Sequence, residues 1–378
     1  MSNERSAEFV IIGAGLAGAA IADRLAQAGH RDLLIIEQED QPAQHGSGQN
    51  AGMLRQHASN PYTSALARRG LDLHRTLHQR VENITPFHPT GSLLVGGRGP
   101  ELSAGYRAGT TQRINEDVFR RKTKLNLPNG ARALFCAGDG LRDAQSLCHQ
   151  LINGSGATLQ FSCRVEGIET SNGQVSGVKL EHGQRVRTDH VIVCGGAWSR
   201  EFLDLPLQAF RRHLYLFDVD NQRPDMPWTW DLDGELYFRG HDAGLLVSAC
   251  DETPDQATRG NQPGEDAEVL SMLHRCLQER WPQLKSSRLM KSWAGLRVLS
   301  PDDAFILGPD PRLDGLAWCT GLGGHGLTCA LSAAALALRP WLGDGTGLGE
   351  DPRGPDLDTL QQAHGIDRLP FLKEIWDA

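Results

Sequence analysis

The strongest constraint on the fold is a glycine-rich turn near the N-terminus, between a short apolar stretch and an amphipathic one. Its glycines have the spacing G-x-G-x-x-G: Gly13, Gly15 and Gly18. Residues 8–12 predict a buried strand before the turn, and residues 16–28 have the spacing of an amphipathic helix after it. A second apolar stretch, 33–36, predicts a strand that ends at Glu37. The pattern therefore predicts a strand, helix and strand unit of the kind that binds a dinucleotide.

Each residue of this motif has its own physical role. Gly13 permits the tight turn, Gly15 lets a pyrophosphate approach the backbone, and Gly18 lets the helix pack closely on the strand. The N-terminus of the helix faces the phosphates, and Glu37 can accept hydrogen bonds from the adenosine ribose. The motif does not distinguish FAD from NAD, and the alternative is a glycine-rich turn that matches by chance.

A second match to the same spacing lies near the C-terminus, at Gly321, Gly323 and Gly326. It also follows a predicted strand, but no apolar strand ending in an acid follows its helix, so a second dinucleotide unit is not expected. We interpret this loop as a source of backbone N–H groups and a positive helix end for an anionic group, such as the pyrimidine edge of a reduced flavin. The alternative is an ordinary tight turn between a strand and a helix.

The rest of the chain alternates between α/β and β-rich patterns. Helices are predicted for residues 62–82, 144–152, 265–280 and 327–342, and strands for 92–95, 158–161, 164–170, 177–181, 190–194, 214–219, 235–239, 244–249 and 316–320. Residues 96–131 are basic and irregular and carry no prediction. A linker over 343–356 precedes a short terminal helix. Because α/β segments flank a β-rich segment, we expect domains that are each discontinuous in sequence.

Charge and composition narrow the classes of partner. The chain of 378 residues has 38 basic and 46 acidic residues, a net charge of −8, so no binding of nucleic acid or an anionic membrane is expected. Eight cysteines are scattered singly without metal-ligand spacing, which argues against a disulfide framework and predicts no metal. No export signal or transmembrane segment is visible. We therefore expect a cytoplasmic protein whose partner is a small molecule.

Four separated motifs, in order along the chain, resemble the D-amino-acid oxidase-like flavoprotein superfamily of glycine and sarcosine oxidases and bacterial D-amino-acid dehydrogenases. They are FVIIGAGLAG at 9–18, GSGQNAGMLR at 46–55, VCGGAW at 193–198, and WAGLR at 293–297 followed by 321–328. The resemblance implies an α/β fold, with a Rossmann-like FAD-binding domain and a discontinuous second domain built on a mixed β-sheet. The implied limits are 1–85, 139–206 and 295–345 for the FAD-binding domain, 86–138 and 207–294 for the substrate domain, and 346–378 for a C-terminal tail.

The resemblance also implies which residues contact FAD, in addition to the first glycine motif and Glu37. They lie in the loop at 46–52, near the adenine, beside the cofactor after a strand, and in the second glycine loop: Ser47, Gly48, Asn50, Ala51, Gly52, Val165, Gly195, Trp198, Gly323, Gly324, His325, Gly326, Leu327 and Thr328. Gln49 departs from the arginine of many relatives. The sarcosine-oxidase branch tethers its flavin to a cysteine near the start of the 293–297 motif, where this chain has Gly295, so we expect non-covalent FAD.

Three further residues match positions at which the family binds substrate. Arg297 corresponds to the arginine that binds the substrate carboxylate in D-amino-acid dehydrogenases, and a guanidinium fits a planar carboxylate with two hydrogen bonds. Arg212, favoured over Arg211, resembles a second arginine site, and Tyr237 a tyrosine over the flavin. His325 replaces a tyrosine and is a further catalytic candidate. The alternatives are surface ion pairs for the arginines and a packed strand residue for the tyrosine.

These features predict an FAD-dependent oxidoreductase that oxidises the CH–NH bond of a small amino acid or secondary amine. Leu246 stands where oxidase relatives have an oxygen-activating lysine, so a dehydrogenase with an unknown electron acceptor is expected. The alternatives are an FAD-dependent CH–OH dehydrogenase of a hydroxy acid or glycerol phosphate, and a flavin-binding subunit without turnover. The departures at Met53, Ala58 and His325 from the D-arginine-type enzymes leave the substrate side chain open.

Overall fold

The computed structural model describes residues 5–97, 105–219, 223–257, 266–284, 287–343, 345, 347–349, 351 and 354–368. The helices are α1 Leu16–Gln27, α2 Pro61–Thr76, α3 Glu116–Thr123, α4 Ala144–Ser155, α5 Ala267–Arg280, α6 Gly326–Leu342 and α7 Leu357–His364. None of the helices in these ranges is both long enough and apolar enough to cross a bilayer.

The strands are β1 Arg5–Ser6, β2 Phe9–Ile12, β3 Leu33–Ile36, β4 Met53–Leu54, β5 Ser92–Val95, β6 Thr111–Ile114, β7 Ala133–Cys136, β8 Gly140–Leu141, β9 Thr158–Gln160, β10 Val165–Ser171, β11 Gln174–Leu180, β12 Arg185–Arg187, β13 His190–Val193, β14 Gln208–Asp218, β15 Trp228–Asp231, β16 Leu236–His241, β17 Gly244–Ser248, β18 Thr253–Asp255, β19 Arg288–Leu299, β20 Ile306–Pro309 and β21 Leu316–Thr320.

One sheet carries the first glycine motif. In the described part of the chain it has the order β20-β21-β13-β2-β3-β9, parallel except where β20 meets β21. The residues of β2 and β3 are buried, as continuous apolar strands covered on both faces should be. Helices α1, α4 and α6 pack in one cluster on this sheet through side chains such as Leu25 and Leu336. The predicted strand, helix and strand unit is confirmed.

The second main sheet is mixed and is assembled from distant segments. Its order is β18-β14-β17-β16-β15-β5-β7-β6, and β19 pairs antiparallel with β14 over almost its whole length. Strand β5 joins it through a parallel pairing with β15 and an antiparallel one with β7. The parallel sheet with helices and this separate mixed sheet confirm the predicted α/β fold class.

Several predicted elements differ from the structure. The helix predicted over 62–82 ends at Thr76, where a single 3₁₀ turn follows. The region 96–131, left without a prediction, contains β6 and α3 in its described part. Strands β15 and β19 were not predicted, and the helix predicted from residue 265 begins at Ala267, with residue 265 outside the described residues.

The smaller sheets complete the architecture. Strands β1, β12, β11 and β10 form one sheet, and β4 pairs with β8 in another. Strand β19 runs across residue 295, where the resemblance placed a domain limit. The domain limits stay a prediction.

Candidate active site

A deep cleft lies at the carboxyl ends of β2, β3, β13 and β21 and reaches the mixed sheet, with about 1660 Å³ of space that is partly open to solvent. Most of the predicted site residues line it: Gly13, Gly15, Glu37, Ser47, Asn50, Ala51, Gly52, Val165, Gly195, Trp198, Arg212, Tyr237, Arg297, Gly323, Gly324, Gly326 and Leu327. The side chains or backbone of Gly18, Gly48, His325 and Thr328 are not part of the lining. Ligands of open α/β sheets bind at this end of the strands.

The first helix of the cleft, α1, has no cap from its own N-cap residue and presents its positive end to the cavity. Gly15 is the N-cap residue of α1 and makes no side-chain cap, and the first turn contains no acid. Ser47 Oγ accepts a hydrogen bond from the Leu16 N–H at 2.9 Å. Gly13 has φ +103°, and a Cβ there would lie 2.7 Å from the carbonyl oxygen of Cys194. A helix N-terminus of this kind is suited to a pyrophosphate.

Gly18 contributes to this geometry through the packing of α1 and not by lining the cleft. A Cβ on Gly18 would collide with the carbonyl oxygen of Gly13, so only glycine lets α1 approach the turn so closely. The sequence motif anticipated this packing role, which explains why Gly18 does not line the cavity.

Glu37 directly follows β3, and backbone N–H groups hold its carboxylate. Its Oε2 accepts a hydrogen bond from the Ala14 N–H at 2.7 Å, and its Oε1 accepts one from the Glu39 N–H at 3.0 Å. Burial raises the pKa of the Glu37 carboxyl despite these two bonds. Each oxygen retains a further lone pair, so the carboxylate can still accept a hydroxyl from a ribose.

A second helix points its positive end at the same cleft. His325 is the N-cap of α6 without a side-chain cap, and no acid lies in the first turn. The preceding loop is held by the Gly323 N–H, which donates to the carbonyl oxygen of Val298 at 2.9 Å. The N-terminal ends of α1 and α6, neither capped by its own N-cap residue, therefore face one cavity, as an elongated ligand with two electron-rich regions requires.

The loop at 46–52 is a structured wall of the cleft. The Asn50 amide donates to the carbonyl oxygen of Ser47 at 2.6 Å, and its Oδ1 accepts from the Gly52 N–H at 2.7 Å. Arg239 Nε donates to the carbonyl oxygen of Ala51. These hydrogen bonds hold the loop in place along the cleft.

The mixed sheet presents the substrate candidates on one face. Arg212 lies directly opposite Gly295 across β14 and β19, so Arg297, two residues further, shares its face. Tyr237 and Leu246 lie on the same face through the pairings of β16, β17 and β14. We call this surface, formed by Arg212, Leu214, Trp230, Tyr237, Leu246 and Arg297, the cleft face.

Arg297 is the predicted cation that lines the cleft without an acidic partner among the described residues. Among the residues that the structure describes, no carboxylate pairs with its guanidinium. The guanidinium lies close against Gly324, where a Cβ would be only 2.8 Å from Nε. Burial, and then the neighbouring Arg212, lowers the pKa of Arg297 to about 10. Arg212 itself pairs with Glu252 at 2.6 Å. A charged group surrounded by protein yet facing a cavity is suited to an anionic ligand.

Arg211 and Arg212 separate as the alternating strand pattern requires. Arg211 lies on the opposite face of β14 and pairs with Asp255 at 3.2 Å. Of these two arginines, Arg212 lines the cleft and Arg211 does not.

Arg55 is a cation whose role the sequence analysis missed. Its guanidinium lies 4.9 Å from the ring centroid of Trp230 on the cleft face, and Nη2 lies 2.9 Å from Nε2 of His325. Burial lowers the pKa of Arg55, and Arg212 lowers it further. The available signal was its position directly after the short strand Met53–Leu54, at the end of a quoted motif.

His325 differs from its predicted position. Its side chain points to Arg55 and not into the cleft lining, and burial, Arg55 and Arg297 lower its pKa well below the usual value. Its imidazole is therefore neutral at pH 7 and adds no charge. His57 is also neutral, because burial and nearby arginines lower its pKa to about 4.

Comparisons with known proteins agree with this geometry. The family model "FAD dependent oxidoreductase" (DAO) matches residues 8–339. The chain is 27% identical to 4-methylaminobutanoate oxidase (formaldehyde-forming) of Paenarthrobacter nicotinovorans, covering 89% of this chain and 44% of that protein. It is 27% identical to glycine oxidase of Pseudomonas aeruginosa, covering 88% and 93%. The structure of L-proline dehydrogenase from P. horikoshii superimposes with a TM-score of 0.79 at 19% identity, covering 89% and 93%.

The lengths of these relatives differ. The chain spans about half or less of the length of several curated relatives, and nearly all of the glycine oxidase.

Proposed function

Because the chain belongs to the DAO family of FAD-dependent oxidoreductases, FAD is its cofactor, and we propose that it oxidises the CH–NH bond of a small amino acid or secondary amine. The observation that carries this proposal is Arg297, a guanidinium without a protein carboxylate partner in the described chain, in the same cleft as the dinucleotide cradle. Its natural partner is the carboxylate of a substrate.

The residues of the cleft fit FAD. The open end of α1 and the adjacent Ser47 suit the pyrophosphate, and Glu37 suits the ribose. The open end of α6 suits the pyrimidine edge of the flavin. FAD held by these residues would supply a hydride acceptor for the substrate carbon.

The chain's own residues bind and orient the substrate. Arg297 holds the carboxylate, and Tyr237 supplies an apolar wall and a hydroxyl donor beside it. The positive potential of Arg55, Arg212 and Arg297 disfavours an ammonium group, so the amine binds neutral with a lone pair to assist hydride loss. Loss of a hydride from carbon and a proton from nitrogen forms a C=N bond, which water then hydrolyses to a carbonyl compound and an amine or ammonia.

We propose that this enzyme is a dehydrogenase more than an oxidase. Leu246 is buried on the cleft face, packed with Leu214 and Tyr237, where the resemblance expects an oxygen-activating lysine. Without a positive charge at this point, developing superoxide is not stabilised there.

Anaerobic reduction of the flavin tests the proposal. Glycine, N-methylglycine, D-alanine and L-proline are compared with glycolate, lactate and glycerol phosphate, and bleaching of the visible flavin band is measured. Bleaching by amines alone supports the proposal. Bleaching by hydroxy compounds alone supports a CH–OH dehydrogenase, and bleaching by none of them supports a flavin-binding subunit without turnover.

A further inference from the structure

Two cations at the cleft lack an acidic partner among the described residues: Arg297, which lines the cleft, and Arg55, which contacts Trp230 of the cleft face. Arg297 and Arg55 are each partly accessible although surrounded by protein, and neither makes an ion pair within the described residues. The third cation, Arg212, already pairs with Glu252. Asp139 is near enough to Arg55 to be affected by its charge, but its carboxylate accepts hydrogen bonds from Ser92 Oγ and the Gln56 N–H.

The two unpaired guanidinium groups are close to each other. Arg297 packs on Gly324, and Arg55 bonds the side chain of the next residue, His325. Consecutive Cα atoms are about 3.8 Å apart, so the two cations lie within the length of a small molecule. One substrate carboxylate on Arg297 would leave the charge of Arg55 unbalanced in a desolvated site, which is costly.

We propose that the substrate carries two carboxylates, an amino or imino dicarboxylate, with one bound by Arg297 and the other by Arg55. This inference rests on the proposed function, since it specifies the substrate class of the same cleft. Arg55 Cζ lies 4.9 Å from the ring centroid of Trp230, a contact that restricts the movement of a guanidinium whose planar fork of donors suits a carboxylate.

The neighbourhood of Arg55 favours this assignment over a purely structural role. His325 is neutral, so it accepts a hydrogen bond from Arg55 without cancelling its charge. Trp230 contributes an attraction between cation and ring that is weaker than an ion pair. The guanidinium has five N–H donors, and these contacts leave several of them for a ligand.

Equilibrium binding to the FAD-loaded enzyme tests the second carboxylate independently of turnover. Diglycolate has two carboxylates around an ether oxygen, and methoxyacetate has one; neither contains an amine to be oxidised. The perturbation of the visible flavin spectrum reports binding of each. We expect a Kd for diglycolate at least about tenfold below that for methoxyacetate, because a charged hydrogen-bonded pair is gained. Equal Kd values would overturn the proposal.

Variants assign the preference to Arg55. Arg55→Met should reduce the diglycolate preference at least about tenfold, and Arg55→Lys should retain part of it. Arg211→Met is the matched control, since Arg211 lies on the other face of the same sheet and pairs with Asp255. Flavin content and Tm are measured for each variant. A preference that survives Arg55→Met in folded, FAD-loaded protein, or that is lost equally in Arg211→Met, would overturn the assignment.

Kinetics separates the two proposals. Two pairs of substrates are compared, and the members of each pair differ by one carboxylate. Iminodiacetate and N-methylglycine are secondary amines, and D-aspartate and D-alanine are primary amines. We expect a higher kcat/KM for the dicarboxylate of at least one pair. Oxidation of both members with equal kcat/KM overturns the dicarboxylate proposal and leaves the amine oxidation intact. Tight diglycolate binding without oxidation of any amine overturns the proposed function and leaves the two-carboxylate site intact.

Discussion

Replacement of Arg297 by alanine tests the central claim about the cleft. Removing one partner of a buried, hydrogen-bonded charge pair costs about 2 to 5 kcal/mol. Arg55 and Arg212 remain nearby and keep the site positive, so the lower half of that range applies. We therefore expect kcat/KM for the amine substrate to fall by roughly 30- to 150-fold, from a cost of about 2 to 3 kcal/mol.

The same structure predicts that the variant stays folded. No carboxylate of the described chain loses a partner when Arg297 is removed, and its repulsion with Arg212 disappears. Flavin content and Tm should therefore stay near those of the parent protein. An arginine that served only in a surface ion pair would instead lose under about 1 kcal/mol, seen in stability and not in turnover.

The assay combines kcat/KM by anaerobic flavin reduction with flavin content by absorbance. Arg297→Lys should recover only part of the loss, because an ammonium cannot reproduce two parallel hydrogen bonds. Arg211→Ala serves as the control, since it removes a cation from the opposite face of β14. Full activity of Arg297→Ala at parental flavin content would refute the carboxylate role.

Three further outcomes follow from the structure. Acid precipitation should release FAD completely into the supernatant, because Gly295 offers no side chain for attachment; flavin left in the pellet would contradict this. The rate of peroxide formation during turnover in air should be lower than the rate of reduction of an artificial dye, because Leu246 on the cleft face is apolar. Comparable rates would show an oxidase. Buried His74, whose pKa is lowered to about 3, accepts a proton only when the chain unfolds, so stability should fall as pH drops below about 6.5. Tm at pH 5 should be about 5 °C or more below that at pH 7, and His74→Gln, but not the exposed His78→Gln, should reduce this difference.

The sequence predicted the parts of the fold that depend on near neighbours. The unit from β2 to β3 was readable because the apolar periodicity changes at a turn of glycines, all within 30 residues. The end of α2 was placed six residues too late because apolar spacing continues past Thr76 while the helix does not. Local patterns identify an element more reliably than its end.

The candidate site divides in the same way. Gly13, Gly15 and Glu37 were identified from their spacing alone, since a strand, a turn and a helix bring them together locally. Arg297 and Tyr237 came from the resemblance, and their common face depends on the pairing of β14 with both β19 and β17. Such pairings join residues far apart in sequence, and no local period encodes their register.

The sequence by itself therefore determined the dinucleotide unit, the chemistry that its glycines permit and the set of candidate cations. Only the tertiary structure decided how these cations are arranged: Arg212 and Arg297 line the cleft, His325 is turned toward Arg55, and Arg55 packs against Trp230 of the cleft face. The physical reason is that a glycine turn is defined by its own backbone, whereas the charge of a site is a sum over side chains that only long-range packing places side by side.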